Sequence, residues 1–150
     1  MSEKRRDVLL KDYFEGCLYY SAGRLYRSVE RLAFRAFKPI DLAPSHAFFI
    51  MALSEVDGGW ASPSDLSKIM NLDRSTVTRL MSSLKKKDLV KSTPQGRFQR
   101  MTLTKKGIEL LPEIKAAWSK LYQLYTEELG RKSAHSMNAC IRSNLTLPKK

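Results

Sequence analysis

The segment from Ser62 to Leu103 constrains the fold of this 150-residue chain more than any other. Ser62-Pro63-Ser64-Asp65 carries the signals of a helix start. The Ser62 hydroxyl can accept from the Asp65 backbone NH, Asp65 can reach back, and proline suits the first helical position. Leu66, Ile69 and Met70 give this short helix its buried side. Asn71-Leu72-Asp73 makes the turn, and Asp73 is placed to cap the helix that follows. The second helix is expected over about 74–87, with Val77, Leu80, Met81 and Leu84 inward. Two short helices joined by a tight turn make a helix-turn-helix. The hydrophobic period then changes. Leu89–Thr93 and Phe98–Leu103 read as strands around a type I turn at Pro94-Gln95-Gly96, so the wing is expected at about 88–103. Residues 44–103 together read as a winged helix, entered through a short helix that Pro44 opens with Ala47, Phe48, Ile50, Met51 and Leu53 as its apolar residues.

The flanks have a longer beat. Leu10, Phe14, Leu18, Ala22, Leu25, Val29, Leu32 and Ala36 recur at steps of three or four, which predicts one helix from Asp7 to Phe37, stopped by Pro39. Thr104 is placed to cap a second long helix, striped by Leu111, Ile114, Trp118, Leu121, Tyr125 and Leu129, kinked by Pro112 and ended by Gly130. A last, weakly apolar helix is expected around 133–145 and needs a partner to cover it. The fold class is therefore mainly α with a small β wing. Residues 1–37 and 104–150 are expected to be dimerisation helices flanking the winged helix in one intertwined unit, with a second copy of the chain as partner.

Charge narrows the function. Lys+Arg number 27 against 15 Asp+Glu, a formal net charge of +12, and such an excess suits a polyanion because phosphate contacts release condensed counterions. No apolar run approaches the ~18 residues of a membrane span, and no secretory segment follows the N-terminus, so a cytoplasmic protein is expected. Cys17 and Cys140 form neither a disulfide framework nor a zinc spacing. With no His-Glu-x-x-His, no glycine-rich phosphate loop and no nucleophile elbow, no enzyme, metal site or cofactor is expected.

Ser62-Pro63-Ser64-Asp65-Leu66, Asn71-Leu72-Asp73-Arg74-Ser75-Thr76-Val77-Thr78-Arg79-Leu80, Lys87-Asp88-Leu89-Val90 and Leu103-Thr104-Lys105-Lys106-Gly107 together resemble the MarR family of bacterial regulators. The resemblance implies six helices and a two-stranded wing, a dimer made by the first and last two helices, and operator DNA as partner, with repression the expected role. It also implies a binding region for small aromatic or anionic effectors. One departure stands out. Wings of the family usually carry Asp-x-Arg near the tip, the carboxylate orienting the wing and the arginine entering the minor groove. The matching positions here are Gln95, Gly96 and Arg97, in a hairpin that is also shorter.

Site expectations follow from both readings. Ser75, Thr76, Thr78 and Arg79 cluster at the start of the second helix, away from its apolar face, where a recognition helix meets base edges. Arg74, Arg97 and Ser64 are further DNA contacts, and Ser67 is a weaker phosphate candidate. Lys85, Lys86, Lys87, Lys105 and Lys106 are read as diffuse attraction. His46, Tyr20 and Trp118 are candidates for an effector pocket. Tyr13, Tyr19, Tyr26, Trp60, Tyr122 and Tyr125 are further aromatics assigned to the dimer region. Cys17 falls roughly where the peroxide-sensing branch of the family carries a reactive cysteine, but its expected place deep in a helix favours a packed, inert thiol. Two alternatives remain open at this point: a thiol-based peroxide sensor of the same family, and a winged helix used as a protein-interaction module. The second would present an apolar or acidic recognition face, against which Arg74, Arg79 and Arg97 speak.

Overall fold

A computed structural model describes residues 13–145. In chain order the elements are α1 (Leu18–Phe37), α2 (Pro44–Ser54), α3 (Pro63–Met70), α4 (Arg74–Lys86), β1 (Val90–Gln95), β2 (Phe98–Leu103), α5 (Lys105–Glu109), α6 (Leu111–Leu129) and α7 (Arg131–Asn144). The described part is mainly helical, with one two-stranded antiparallel sheet, which is the winged-helix class. Two compact units are present. One is Ala36–Gln123; the described parts of the other are 13–35 and 124–145. Residues 104–123 thus pack within the unit that holds the winged helix, although their sequence stripe groups them with the flanking helices.

In the larger unit, Phe37, Phe49, Ile50, Leu53, Leu66, Leu84, Met101 and Ile114 are fully buried, and they come from every layer around the sheet. Register alone does not choose the buried residue among adjacent apolar ones. On α2 it is Phe49, not Phe48, that faces the core, and on α6 it is Ile114, Ala117 and Leu121. Trp118 stays 45% exposed because the smaller Ala117 takes the inward step of the same 3.6 period. Ile69, read as inward, is 54% exposed, and Met81 is half-buried.

Three breaks differ from the expected helices. Residues 7–12 of the first expected helix, with Leu10, lie outside the described residues. Residues 13–15 are helical, but the helix is interrupted at Gly16 and Cys17 before α1 begins. Glycine costs about 1 kcal/mol against alanine inside a helix, which makes Gly16 the place where the pattern gives way. Second, the helix after the sheet is two helices. It breaks at Leu110, because Pro112 has no NH to continue the ladder and serves instead in the first turn of α6. Third, the hairpin turn is not Pro94-Gln95-Gly96. Gln95 pairs with Phe98 and Pro94 with Gln99, so the loop is Gly96-Arg97 alone. Gly96 has φ +60 and Arg97 is not among the residues with positive φ, the pattern of a type II′ turn. Pro94 is tolerated inside β1 because antiparallel pairs alternate. With Gln95–Phe98 the hydrogen-bonded pair closing the loop, Pro94–Gln99 is a pair that asks no NH of proline.

Candidate nucleic-acid interface

The helix-turn-helix is built from local hydrogen bonds that the sequence encodes. Ser62 caps α3: its hydroxyl accepts from the Asp65 NH at 3.1 Å and donates to the Asp65 carboxylate at 2.7 Å, which also accepts the Ser62 NH at 3.2 Å. These hydrogen bonds to Ser62 hold the Asp65 carboxyl below the usual carboxylate range. Asn71 ends α3 in the left-handed conformation, φ 51, which asparagine tolerates better than most residues. The Ser67 hydroxyl donates to the Leu72 carbonyl across the turn, so this serine holds the turn rather than facing outward to a phosphate. Asp73 takes the cap position of α4, but its side chain makes no capping hydrogen bond, contrary to expectation.

Helix α4 is pinned from below by Val77, Leu80 and Leu84, all buried. That burial fixes which face remains outside. Ser75, Thr78 and Arg79 are exposed, and Ser82 and Lys86 continue the same stripe at helical spacing. Ser82 is absent from the site expected on sequence; the i+3, i+4, i+7 spacing from Arg79, Thr78 and Ser75 is the signal that points to it. Thr76 sits at the edge of the stripe, half-buried. Arg74 donates from Nη2 to Ser64 Oγ at 3.1 Å, which ties the starts of α3 and α4 together. Arg79 folds back along its helix, Nη2 to Thr76 Oγ1 at 3.3 Å, and Thr78 donates to the Arg74 carbonyl at 2.9 Å. The structure thus gathers Ser64, Arg74, Ser75, Thr76, Thr78 and Arg79 on one surface.

Four of the five lysines expected to give only diffuse charge have specific partners. Lys85 donates to Ser92 Oγ at 2.8 Å, joining the end of α4 to β1. Lys87 reaches the Asp41 carbonyl at 3.2 Å, and Lys106 the Lys87 carbonyl at 3.0 Å. Lys105 lies 3.8 Å from Glu109, one turn on. Arg97 is exposed at the tip of the wing. Trp60, grouped by sequence with the dimer-region aromatics, stands instead beside the wing in the larger unit: its ring stacks on Phe98, centroids 6.0 Å apart and 9° from parallel. The Arg100 guanidinium lies 4.8 Å from the Trp60 centroid.

Residues 40–100 match the model of the MarR family. Over that segment the chain is similar to the MarR-family winged helix. Solved structures similar to the chain include BpsR of Bordetella bronchiseptica, studied for regulation of its DNA binding by 6-hydroxynicotinic acid, at 21% identity and TM-score 0.78, covering 87% of this chain and 95% of that one. The S. aureus MepR–DNA complex is similar at 17% identity and TM-score 0.74, with 87% and 97% covered. The transcriptional repressor CouR bound to a 23-mer DNA duplex is similar at 18% identity and TM-score 0.77, with 89% and 95% covered. No curated protein sequence matches the chain.

The part of the MarR-like pattern that follows the wing also has a physical reason here. Thr104 caps α5 by accepting from the Gly107 NH at 3.0 Å, while its own hydroxyl donates to the Asp88 carbonyl at 2.6 Å. The Leu89 carbonyl accepts the Thr104 NH and lies so close to Gly107 that any Cβ there would collide with it. Leu-Thr-Lys-Lys-Gly is thus a clamp that closes the wing against the end of α4.

The remaining candidates are scattered. Tyr20 belongs to the smaller unit, while His46 and Trp118 belong to the larger, so nothing brings the three expected effector residues together in one unit. His46 is half-buried on α2, its Nδ1 shielded from solvent without a hydrogen-bond partner. Burial, and then the nearby Lys87 ammonium, push its pKa below the ordinary histidine value. Cys17 is a half-buried free thiol immediately before α1, and its carbonyl accepts the first helical bond, from the Ser21 NH at 3.0 Å. The expectation that it lies deep in a helix is corrected: the Gly16 break puts it at a helix start. Cys140 is free and exposed. Among the described residues no group of His, Cys, Asp and Glu could hold a metal ion, and no helix is long and apolar enough to cross a membrane.

Proposed function

We propose that this protein is a homodimeric DNA-binding transcription regulator that acts as a repressor on an inverted-repeat operator. The observation that carries the reading is the stripe of Ser75, Thr78 and Arg79, exposed on a helix that Val77, Leu80 and Leu84 anchor, in a chain of net charge +12. Serine, threonine and arginine at the start of such a helix have the donors that base edges and phosphates accept. Structural likeness to MepR and CouR, both solved with DNA, supports the partner, and CouR, a transcriptional repressor, supports the direction of regulation.

Dimerisation is supported by apolar surface. In the smaller unit Tyr13, Leu18, Tyr19, Tyr26 and Leu145 are between 60% and 88% exposed, more large apolar surface than a solitary unit of this size keeps in water. A second copy would cover it. The two recognition helices would then enter major grooves about one helical turn apart. A small aromatic or anionic effector, the class to which 6-hydroxynicotinic acid of the BpsR study belongs, would release DNA only by its differential affinity for another spacing of those helices.

Sedimentation tests the assembly: a particle of twice the 17.2 kDa chain mass is expected at micromolar concentration, and a stable folded monomer contradicts it. The same preparation should bind a duplex selected from a random pool, with affinity falling ~10³–10⁵-fold between 50 and 200 mM salt if the dimer makes about 6–10 phosphate contacts. Failure to enrich any duplex would sink the DNA reading.

A further inference from the structure

The wing lacks a carboxylate at its tip, yet it is held from both faces. Side chains alternate along β2, so Phe98 and Arg100 share one face while Met101 lies on the other, opposite Ser92 in the register. The Met101 face is the inner one. Met101 is fully buried, and Lys85 donates to Ser92 from the end of α4. Ala61 adds a third rung at the base, exchanging both backbone hydrogen bonds with Met101, at 3.1 and 2.8 Å. Because Ala61 pairs with Met101, the preceding residue, Trp60, falls on the Phe98–Arg100 face. There its ring stacks on Phe98 and carries the Arg100 cation. Arg100 Nε is shielded from solvent with no acceptor, so Trp60 draws this part of the guanidinium out of water and away from direct phosphate duty.

From this arrangement we propose that Trp60 is the positioning residue of the wing. It sets the ribbon's angle through Phe98 and Arg100, and so places the exposed Arg97, one residue before Phe98, against the DNA backbone. Trp60 acts from outside the hairpin, on two side chains of β2. The inference about DNA rests on the proposed function. The inference about wing order does not.

Two measurements test it with Trp60→Ala, and the first adds the conservative Trp60→Phe. In DNA-free protein, wing amides between 90 and 103 should exchange hydrogen about tenfold faster in Trp60→Ala, the size of opening expected from removing one stacked ring and one cation–π pair. Helix α4 should be unchanged, and Trp60→Phe should restore part of the protection. Unchanged wing exchange overturns the proposal. On a duplex selected by the wild-type protein, Arg97→Ala should shallow the slope of log affinity against log salt by about one for each phosphate no longer engaged. Trp60→Ala should shallow it similarly, and the double variant no further. Additive effects would overturn positioning of Arg97 by Trp60. If the wild-type protein selects no duplex, the functional reading fails, and the role of Trp60 in wing order stands or falls on the exchange measurement alone.

Discussion

Helix α4 and the wing are the two surfaces that the proposed function would turn to DNA, and different physics holds each in place. The helix rides on Val77, Leu80 and Leu84, buried side chains shared with the rest of the core. Its outward stripe cannot be moved without disturbing that core. The wing is a two-stranded ribbon anchored deeply only near its base, by Val90 and Met101; beyond them, the hold passes to contacts near the surface: Lys85 on Ser92, and Trp60 on Phe98 and Arg100. Such contacts are worth a kilocalorie or so each, where one buried leucine is worth several. On the proposed function the helix would be the fixed reader and the wing the adjustable one.

The largest effect should follow from attacking the helix's footing. Leu84 is fully buried, so Leu84→Ala should destabilise the fold by about 2–5 kcal/mol, read as a lower denaturant midpoint, and take DNA binding down with it. Loss of binding with stability unchanged would show that α4 is not held by its core face. Next in size, Arg79→Ala should cost about 1–3 kcal/mol per contacted base pair and relax sequence preference. Arg97→Ala should cost less and weaken all sequences about equally. The reverse order would make the wing the reader and dissolve the comparison.

The smallest effect concerns pH, and it separates the regions in another way. His46 lies on α2, and Lys87, which follows α4, adds to its depressed pKa. A folded-state pKa below the unfolded value means the unfolded chain binds the extra proton first. The contribution is present above the unfolded value of about 6.5 and is lost as pH falls from there through the folded pKa. The denaturation midpoint should decline as pH falls below about 6.5, and His46→Gln should flatten the decline. An identical pH profile in the variant would show that the imidazole is not the titrating group.

Legibility in the sequence divides along the same line. The helix-turn-helix can be read because its signals are local: Ser62, Pro63 and Asp65 within one turn, then Val77, Leu80 and Leu84 at helical spacing. The breaks are harder. Gly16 interrupts an apolar stripe that runs on past it, and Pro112 converts one striped helix into two, because stripes report burial and not backbone continuity. Cys17 changes place for that reason alone. The turn shifts because proline attracts a turn assignment, whereas pair alternation lets Pro94 stay within a strand and leaves the loop to Gly96 and Arg97. Trp60 is unreadable as a wing residue. Its partners are 38 and 40 positions away (98 − 60 and 100 − 60), and only the Ala61–Met101 rung brings them together. The expected effector residues suffer most from this limit, since His46, Tyr20 and Trp118 are all aromatic but no local pattern joins them.

Whether the outward stripe of α4 reads DNA in the major groove of two symmetric half-sites is tested most directly by dimethyl sulfate interference on a selected duplex. Guanine N7 is the acceptor an arginine would use there. Interference is expected at two major-groove positions about 10 base pairs apart, and it should vanish when Arg79 is replaced by alanine. Interference at a single position, or a pattern that survives Arg79→Ala unchanged, would contradict major-groove reading by this helix.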